Sequence, residues 1–198
     1  MSAFGMDLAL SQQMKVDYSV VLLWTYSMIH SSSSLSVEEI AMKARMEPHK
    51  ASPAAYQAMM GLEMFVSKSS KLEPSLLELV KMRASQINGC AYCLDMHSKD
   101  ARAKGESEQR LYALNAWRET PFFTDREQAA LAWAEALTLV SVDHVPDAVY
   151  EHAKQHFSEE ELVNLTMAVI AINGWNRIAI SFRMVPGEYQ PVVRKAEK

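Results

Sequence analysis

The sequence predicts an all-α protein, and three observations carry that reading. Glycine and proline number only 6 and 7 among 198 residues, well under average usage of about 7% and 5%. So few turn formers do not suit a many-stranded sandwich or barrel. Capping boxes, in which Ser or Thr precedes Glu by three residues, occur at Ser36/Glu39, Thr124/Glu127 and Ser158/Glu161 and mark helix starts. Methionine, which suits helices and irregular packing, occurs 13 times.

Punctuation then divides the chain into about eight helices. An opening helix over Lys15–Ile29 runs into the serine stretch Ser31–Ser34, and a short helix starts at Ser36. Ser52-Pro53 reads as N-cap and first turn of a helix carrying Tyr56, Met59, Met60, Phe65 and Val66. Pro74 opens the next, with Leu76, Leu77, Val80, Ala84 and Ile87 spaced for one buried face. Asn88-Gly89 interrupts it, and a helix beginning at or near Cys90 ends before Gly105, a natural C′ glycine. Ser107–Trp117 follows, with Leu111, Leu114 and Trp117 on one stripe. The Thr124 box heads a helix with Ala130, Trp133, Ala134 and Leu137 inward, and Pro146 starts another around Val149, Tyr150 and Ala153. The Ser158 box heads the longest, roughly Glu159–Met184, apolar all round from Met167 to Ile172 as a core or interface helix would be. Pro186-Gly187 ends the folded part.

The expected organisation is an N-terminal extension or arm over residues 1–45, a helical domain over 46–187 and a charged tail over 188–198. A biological start at Met42 or Met46 is an alternative reading of the first segment. With a start at Met14, the apolar run Val20–Ile29 would imitate a signal-peptide core, but Asp17 and the bulky aromatics oppose it. That run is half the ~20 residues of a membrane span, so no membrane partner is expected. A net charge of −4 supplies no basic field for nucleic acid. The cytoplasm is the expected compartment, where a thiol pair rests reduced.

The chain has two cysteines, Cys90 and Cys93, too close together for a disulfide framework. On a helix, Cys90, Cys93, Leu94, His97 and Ala101 fall at i, i+3, i+4, i+7 and i+11 and share a face. The cysteines stand one turn apart, close enough to bridge with modest adjustment, and His97 stands one turn beyond Cys93, within reach of its thiol. A helix N-terminus, or a histidine that takes the proton, lowers a thiol pKa from its usual ~8.5. Such a dithiol can reduce a peroxide: one thiolate becomes a sulfenic acid and the other condenses with it. Two small core residues and a zinc clip are the competing readings. C-x-x-C-x-x-x-H offers only three ligands with no second segment, so no metal or other cofactor is expected. Covalent haem needs histidine where Leu94 stands, and a thioredoxin-type site needs a preceding strand.

The stretch Leu76–Arg102 resembles the core of the alkylhydroperoxidase D-like family of the carboxymuconolactone decarboxylase superfamily. That signature is a glutamate twelve residues before C-x-x-C and a histidine four residues after it, matched by Glu78, Cys90, Cys93 and His97. The run Ala171–Gly187, with Asn173, Trp175, Asn176 and Arg177, is similar to the closing helix of single-domain members. The resemblance implies a helical alkylhydroperoxidase D-like fold. It implies Cys93 as peroxidatic cysteine, Cys90 as resolving thiol and proton donor, His97 as base and Glu78 as the relay that orients His97. Helix-end electrostatics alone favour Cys90 as the lower-pKa thiol, and without the resemblance Glu78 reads as a surface partner of Lys81 or Arg83. The best-studied peroxidases of the family carry a second histidine where Tyr92 stands, and a phenol of pKa ~10 is a poor proton shuttle. Tyr92 reads as a channel wall.

The expected function is thus a thiol-dependent peroxidase acting on a hydroperoxide and recycled by a dithiol or lipoyl-type protein reductant. The resemblance implies a homo-oligomer, trimer or hexamer. Two alternatives stand: a redox-responsive oligomeric scaffold, and a non-redox decarboxylase-type enzyme using Glu78 and His97 on a lactone. His144, His152 and His156 read as solvated, and His30 and His49 fall in the arm and its linker. Trp117, Trp133 and Trp175 read as core or interface. Asn173, Asn176 and Arg177 read as polar partners at a subunit contact.

Overall fold

The computed structural model describes residues 43–191. The expected helix over 15–29, the Ser36/Glu39 box, His30 and the tail beyond residue 191 lie outside the described residues. Among the described residues there are nine α-helices, one 3-10 segment and no strand, as the turn-former count predicts. In chain order they are α1 (Pro48–Ala51), α2 (Pro53–Lys68), α3 (Pro74–Asn88), α4 (Ala91–Ala103), α5 (Glu108–Ala113), the 3-10 segment Leu114–Glu119, α6 (Asp125–Thr138), α7 (Val140–Asp143), α8 (Asp147–His156) and α9 (Glu159–Phe182).

The starts follow from local chemistry. Pro53 and Pro74 sit in the first turns of α2 and α3, where a missing N–H costs nothing. Ser52 occupies the N-cap of α2 without a side-chain cap bond, so the proline rather than the serine sets that start. The Thr124/Glu127 and Ser158/Glu161 boxes are complete in both directions. The helix expected over 107–117 instead breaks at Ala116, whose φ of −116° and ψ of 30° are non-helical. The break turns Trp117 inward, where its indole N–H donates to Glu135 Oε1 at 2.9 Å. Glu135 also takes Arg83 at 2.6 Å and pairs with Arg118, tying α6 to α3 and to the 3-10 segment.

Helix α3 is the axis of the domain and packs against α4, α6 and α9. One buried face was expected, but every residue from Leu76 to Met82 is buried, because neighbours stand on all its sides. One core layer joins Leu76, Leu77 and Val80 to Trp133, Leu165 and Val169. A second joins Leu79 and Met82 to Leu111, Leu114, Trp117 and Leu131. Truncating a fully buried leucine such as Leu79 to alanine costs about 2–5 kcal/mol. Helix α9 is long and apolar enough to cross a membrane by length and composition alone. It is nevertheless a core helix: it packs on α2, α3, α4 and α6 and buries the polar Asn164 and Asn176. Ile170 departs from the expected all-round burial and is exposed.

Candidate active site

Helix α3 ends in a left-handed turn at Gly89, with φ 67° and ψ 33°, a conformation glycine adopts without Cβ strain. That turn aims the chain into α4, whose N-cap is Cys90. The Cys90 sulfur accepts the backbone N–H of Cys93 at 3.4 Å, a capping role usually played by a hydroxyl or carboxylate. Both cysteines are free, buried and packed against Ile172 and Ala179 of α9, with their sulfurs 2.7 Å apart. A helix N-terminus carries partial positive charge and favours an anion. The contact with Cys93, the amides of Cys93 and Tyr92, and Asn176 outweigh burial and lower the Cys90 thiol to about 7. The Cys90 contact, burial and the charge on Cys90 push the Cys93 thiol up. The sequence left two answers to which thiol ionises first, and these electrostatics favour Cys90.

His97 lies two turns into α4 from the cap, 5% exposed. Its Nδ1 stands 2.8 Å from Glu78 Oε2 on α3, and Lys104 Nζ donates to Glu78 Oε1 at 2.5 Å. Burial raises the Glu78 carboxyl, but His97, Lys81 and Lys104 outweigh it and hold its pKa at about 2. With Glu78 ionised, His97 Nδ1 carries a hydrogen toward it. His97 bonds neither thiol among the described residues, contrary to the direct reach expected from helical spacing. The reason is rotational: Glu78, 3% exposed, turns the ring across to α3. Nε2 has no partner among the described residues and is not a buried orphan, and His97 lines the adjoining cavity. Glu78 is thereby an internal partner of His97 and Lys104, and pairs with neither Lys81 nor Arg83.

The cavity holds about 320 Å³. Tyr92, Cys93 and His97 of α4 form its floor, Tyr56 and Met60 of α2 face them, and Trp175 of α9 closes one side. The Tyr56 and Trp175 rings meet edge-on at 5.2 Å. Cys93 contributes to this wall and Cys90 does not. Trp175, expected in core or interface, is therefore a cavity wall, while Trp117 and Trp133 are core. Lys81 is also buried at the cavity and donates to Glu63 at 2.5 Å.

Glu78, His97 and Asp100 gather within 4.8 Å, a spacing open to a metal ion. Both oxygens of Glu78 are already engaged, by His97 and by Lys104, and Asp100 Oδ1 accepts the Tyr189 hydroxyl at 2.8 Å. Two ammonium groups, Lys104 and Lys81, supply the positive charge a cation would bring. The donor set fits a proton relay better than a divalent ion.

Asn173 and Asn176, expected as polar partners at a subunit contact, have partners inside this chain, while Arg177 is exposed. Asn88 donates to Asn173 Oδ1 at 3.0 Å and Asn176 Oδ1 at 2.8 Å. Asn176 Nδ2 donates to Ser85 Oγ at 3.0 Å, and Arg177 donates to Asn173 Oδ1 at 3.0 Å. His144 is exposed, whereas His152 and His156 stand half-buried against one another at 5.2 Å. Lys104 escaped the sequence reading although it continues the Cys93, His97 and Asp100/Ala101 stripe by one more turn. Tyr56 and Met60 carried no such signal, since only the tertiary placement of α2 brings them near the thiols.

Comparison with known proteins adds a family. The Carboxymuconolactone decarboxylase family profile matches residues 53–136. The uncharacterized protein YdfG of Bacillus subtilis is 42% identical over 140 residues, 71% of this chain and 95% of that one. A solved Agrobacterium tumefaciens protein of unknown function, provisionally described as the antioxidant defence protein AhpD, is 46% identical. It superposes with a TM-score of 0.71 over 74% of this chain and 100% of that one. At 20% identity, an uncharacterized peroxidase-related protein of Ralstonia eutropha with an alkylhydroperoxidase AhpD core shares the fold. Its TM-score is 0.63 over 71% of this chain and 74% of that one.

Proposed function

The chain belongs to the carboxymuconolactone decarboxylase family as an alkylhydroperoxidase D-like member, and on that premise we propose that it is a thiol-dependent peroxidase. The observation that carries the reading is the placing of the two sulfurs. Cys93 stands on the wall of an apolar cavity, and Cys90 stands 2.7 Å behind it, outside the cavity. One thiol meets a substrate and the other meets only its neighbour, which is the division of labour between attacking and resolving cysteines.

In this reading the pair shares one proton near neutrality, and its apparent pKa belongs to both sulfurs. The helix cap holds the charge on Cys90 at rest. Transfer of the Cys93 proton across the 2.7 Å contact moves the charge to the sulfur that faces substrate. The Cys93 thiolate attacks the terminal oxygen of ROOH; the S–O bond forms, the O–O bond breaks, and RO⁻ leaves and takes a proton to become ROH. Cys90, as thiolate, then attacks the sulfenic sulfur; the S–S bond forms and hydroxide leaves as water after protonation. The sum is ROOH plus two thiols giving ROH, water and a disulfide. A dithiol or lipoyl-type protein reductant restores the thiols. Glu78 holds the His97 ring so that Nε2 can exchange protons with the cavity through water and deliver one to the alkoxide, while the proton Cys90 received leaves as it attacks and goes to the hydroxide. The apolar, aromatic walls suit a carbon-bearing hydroperoxide better than hydrogen peroxide.

A cytoplasmic setting and a homo-oligomer belong to the same proposal. Helix α2 supports the latter: of its sixteen residues only Val66 is buried, and Met60, Met64 and Phe65 are exposed.

Stopped-flow oxidation of the reduced protein by cumene hydroperoxide tests the reading. Oxidation well above the rate of a free thiol, abolished by Cys93→Ser, is expected. A free-thiol rate, or a rate unchanged in Cys93→Ser, overturns it. Activity on a lactone that survives replacement of both cysteines would favour the decarboxylase-type alternative. A redox-dependent change in mass without turnover would favour the scaffold.

A further inference from the structure

Beside the two cysteines, and outside the cavity lining, the chain places two buried polar residues that the dithiol cycle as written leaves unused. Ser85 of α3 and Asn176 of α9 are both 0% exposed. Asn176 lies on the same α9 stripe as Ile172 and Ala179, the two residues that pack on Cys90 and Cys93. A fully buried amide at the centre of an apolar contact costs stability unless its polar atoms are used.

The orientation of that amide is set by its neighbours. Asn88 Nδ2 donates to Asn176 Oδ1 at 2.8 Å, so the carbonyl end faces α3's last turn and the NH2 end faces Ser85 and the thiols. Asn173, held by Arg177 and by its own donation to Thr138 at 3.1 Å, takes the other bond from Asn88 at 3.0 Å and fixes it. One hydrogen of Asn176 Nδ2 goes to Ser85 Oγ at 3.0 Å. The Ser85 hydroxyl is then engaged as an acceptor, and its own hydrogen has no oxygen acceptor among the described residues. The Asn176 amide likewise keeps one hydrogen to give. Cys90 N–H donates to the Ser85 carbonyl at 3.0 Å, and Ile172 and Ala179, on either side of Asn176 along its stripe, pack on both cysteines, so these hydrogens lie beside the thiols.

We propose that Ser85 and Asn176 form an anion-stabilising donor pair that holds negative charge on Cys93 while it is the attacking group. Neither residue lines the cavity, so the pair stabilises the thiolate without obstructing substrate. Against the Cys90 contact and burial, which push the Cys93 thiol up, the neighbouring donor groups of Asn176 and Ser85 pull it down. The titratable groups that line the cavity with Cys93 are Tyr92, His97 and Asp100 on α4 with Lys104 at its end, Glu78 and Lys81 on α3, and Tyr56 and Glu63 on α2. The facing stripe of α9 brings none, so a neutral donor pair is what this helix can contribute.

The role rests on the proposed use of Cys93, but its test needs no peroxide. In a Cys90→Ser background, where Cys93 is the sole thiol, the rate of alkylation by iodoacetamide is followed against pH. Ser85→Ala and Asn176→Ala are each expected to raise the midpoint by about one pH unit, with the high-pH plateau rate unchanged. Asn176→Asp, which replaces a donor with a negative charge, is expected to raise it further. Midpoints that stay in place in variants retaining the parent's circular dichroism overturn the proposal. Should Asn176→Ala fail to fold, Ser85→Ala, which removes one oxygen from a buried site, decides alone. A shifted midpoint in a protein without peroxidase activity would keep the donor pair and discard the peroxidase reading.

Discussion

The Cys90 sulfur accepts the N–H of Cys93 at 3.4 Å and lies 2.7 Å from the Cys93 sulfur, so one atom both caps the helix and contacts the reactive thiol. Contact with Cys93, amides and Asn176 lower Cys90 to about 7 against the opposing effect of burial. A lowered thiol pKa keeps the thiolate down to lower pH. Oxidation by cumene hydroperoxide is therefore expected to be level above about pH 7.5 and to fall about tenfold per unit below about pH 7. Cys90→Ala removes the shared proton and should move the midpoint to the ordinary thiol range, near ~8.5. Stopped-flow rates across pH 5–9 check both, and an unmoved midpoint in Cys90→Ala would remove Cys90 from the ionisation.

The buried Glu78 carboxylate couples stability to acid. Burial opposes its ionisation, but His97, Lys81 and Lys104 hold its pKa at about 2, below the ordinary 4.5. A depressed folded-state pKa contributes stability that is full above about 4.5 and is lost as pH falls toward 2. The group is nearly buried, so the contribution is roughly 3 kcal/mol as an upper bound. Glu78→Gln should melt lower at pH 7 and lose less than the parent between pH 4.5 and 2.5. Its turnover should fall roughly ten- to a hundredfold, as when an orienting partner of a functional histidine is removed. Parallel acid melts of the two proteins would count against the assignment.

Tyr92 occupies the position of the second histidine of the best-studied relatives and lines the cavity beside Cys93. Burial, with the nearby Tyr56 and the thiols, raises its phenol above the usual 10. A phenol that stays protonated through neutrality is a wall rather than a base. Tyr92→Phe is expected to keep kcat within about threefold and to change KM for bulky hydroperoxides more than for small ones. A loss of kcat beyond tenfold, with KM unchanged, would make the hydroxyl a proton carrier.

Gly89 turns α3 into the cap of α4 at φ 67°. A Cβ there would meet nothing within 4 Å, so Gly89→Ala carries backbone strain without a clash. The expected cost is about 1–2 kcal/mol in chemical denaturation. Because the turn aims Cys90, the variant should also raise the midpoint of thiol alkylation. Full stability would mean that the turn relaxes to another conformation.

The helical class was legible in the scarce turn formers and the capping boxes, and the common face of Cys93 and His97 in their spacing along one helix; Cys90 stands at the N-cap and lies outside the cavity they line. Glu78 was not legible from spacing alone: Lys81 and Arg83 stand near it in sequence, and Lys104 and His97 reach it only once α3 and α4 pack. The resemblance supplied it. The polar residues of α9 were noticed but their partners were not, since a buried asparagine announces that it needs partners without naming them. Ser85 and Asn88 are those partners for Asn176, across a sequence separation of about ninety residues. The break at Ala116 carried no glycine or proline, and tertiary placement of Trp117 against Glu135 decides it.

Helix α2 carries the last expectation. It packs on α9 with one side, and Met64 and Phe65 stay exposed beside the cavity-lining Tyr56 and Met60. An apolar helix with one buried residue gains little from this chain alone, and a second copy offers a matching apolar surface by symmetry. Met64 contributes nothing to the cavity or the buried core, so Met64→Glu tests the contact without disturbing either. Light scattering of the parent should give a multiple of the 22.3 kDa chain mass. The variant should fall to a smaller species while its helical circular dichroism persists. Because α2 supplies one wall of the cavity, KM for cumene hydroperoxide should rise with dissociation, and a Met64→Leu control should match the parent in mass and KM. A parent that already runs as a monomer, or a variant of unchanged mass, removes α2 from any subunit contact.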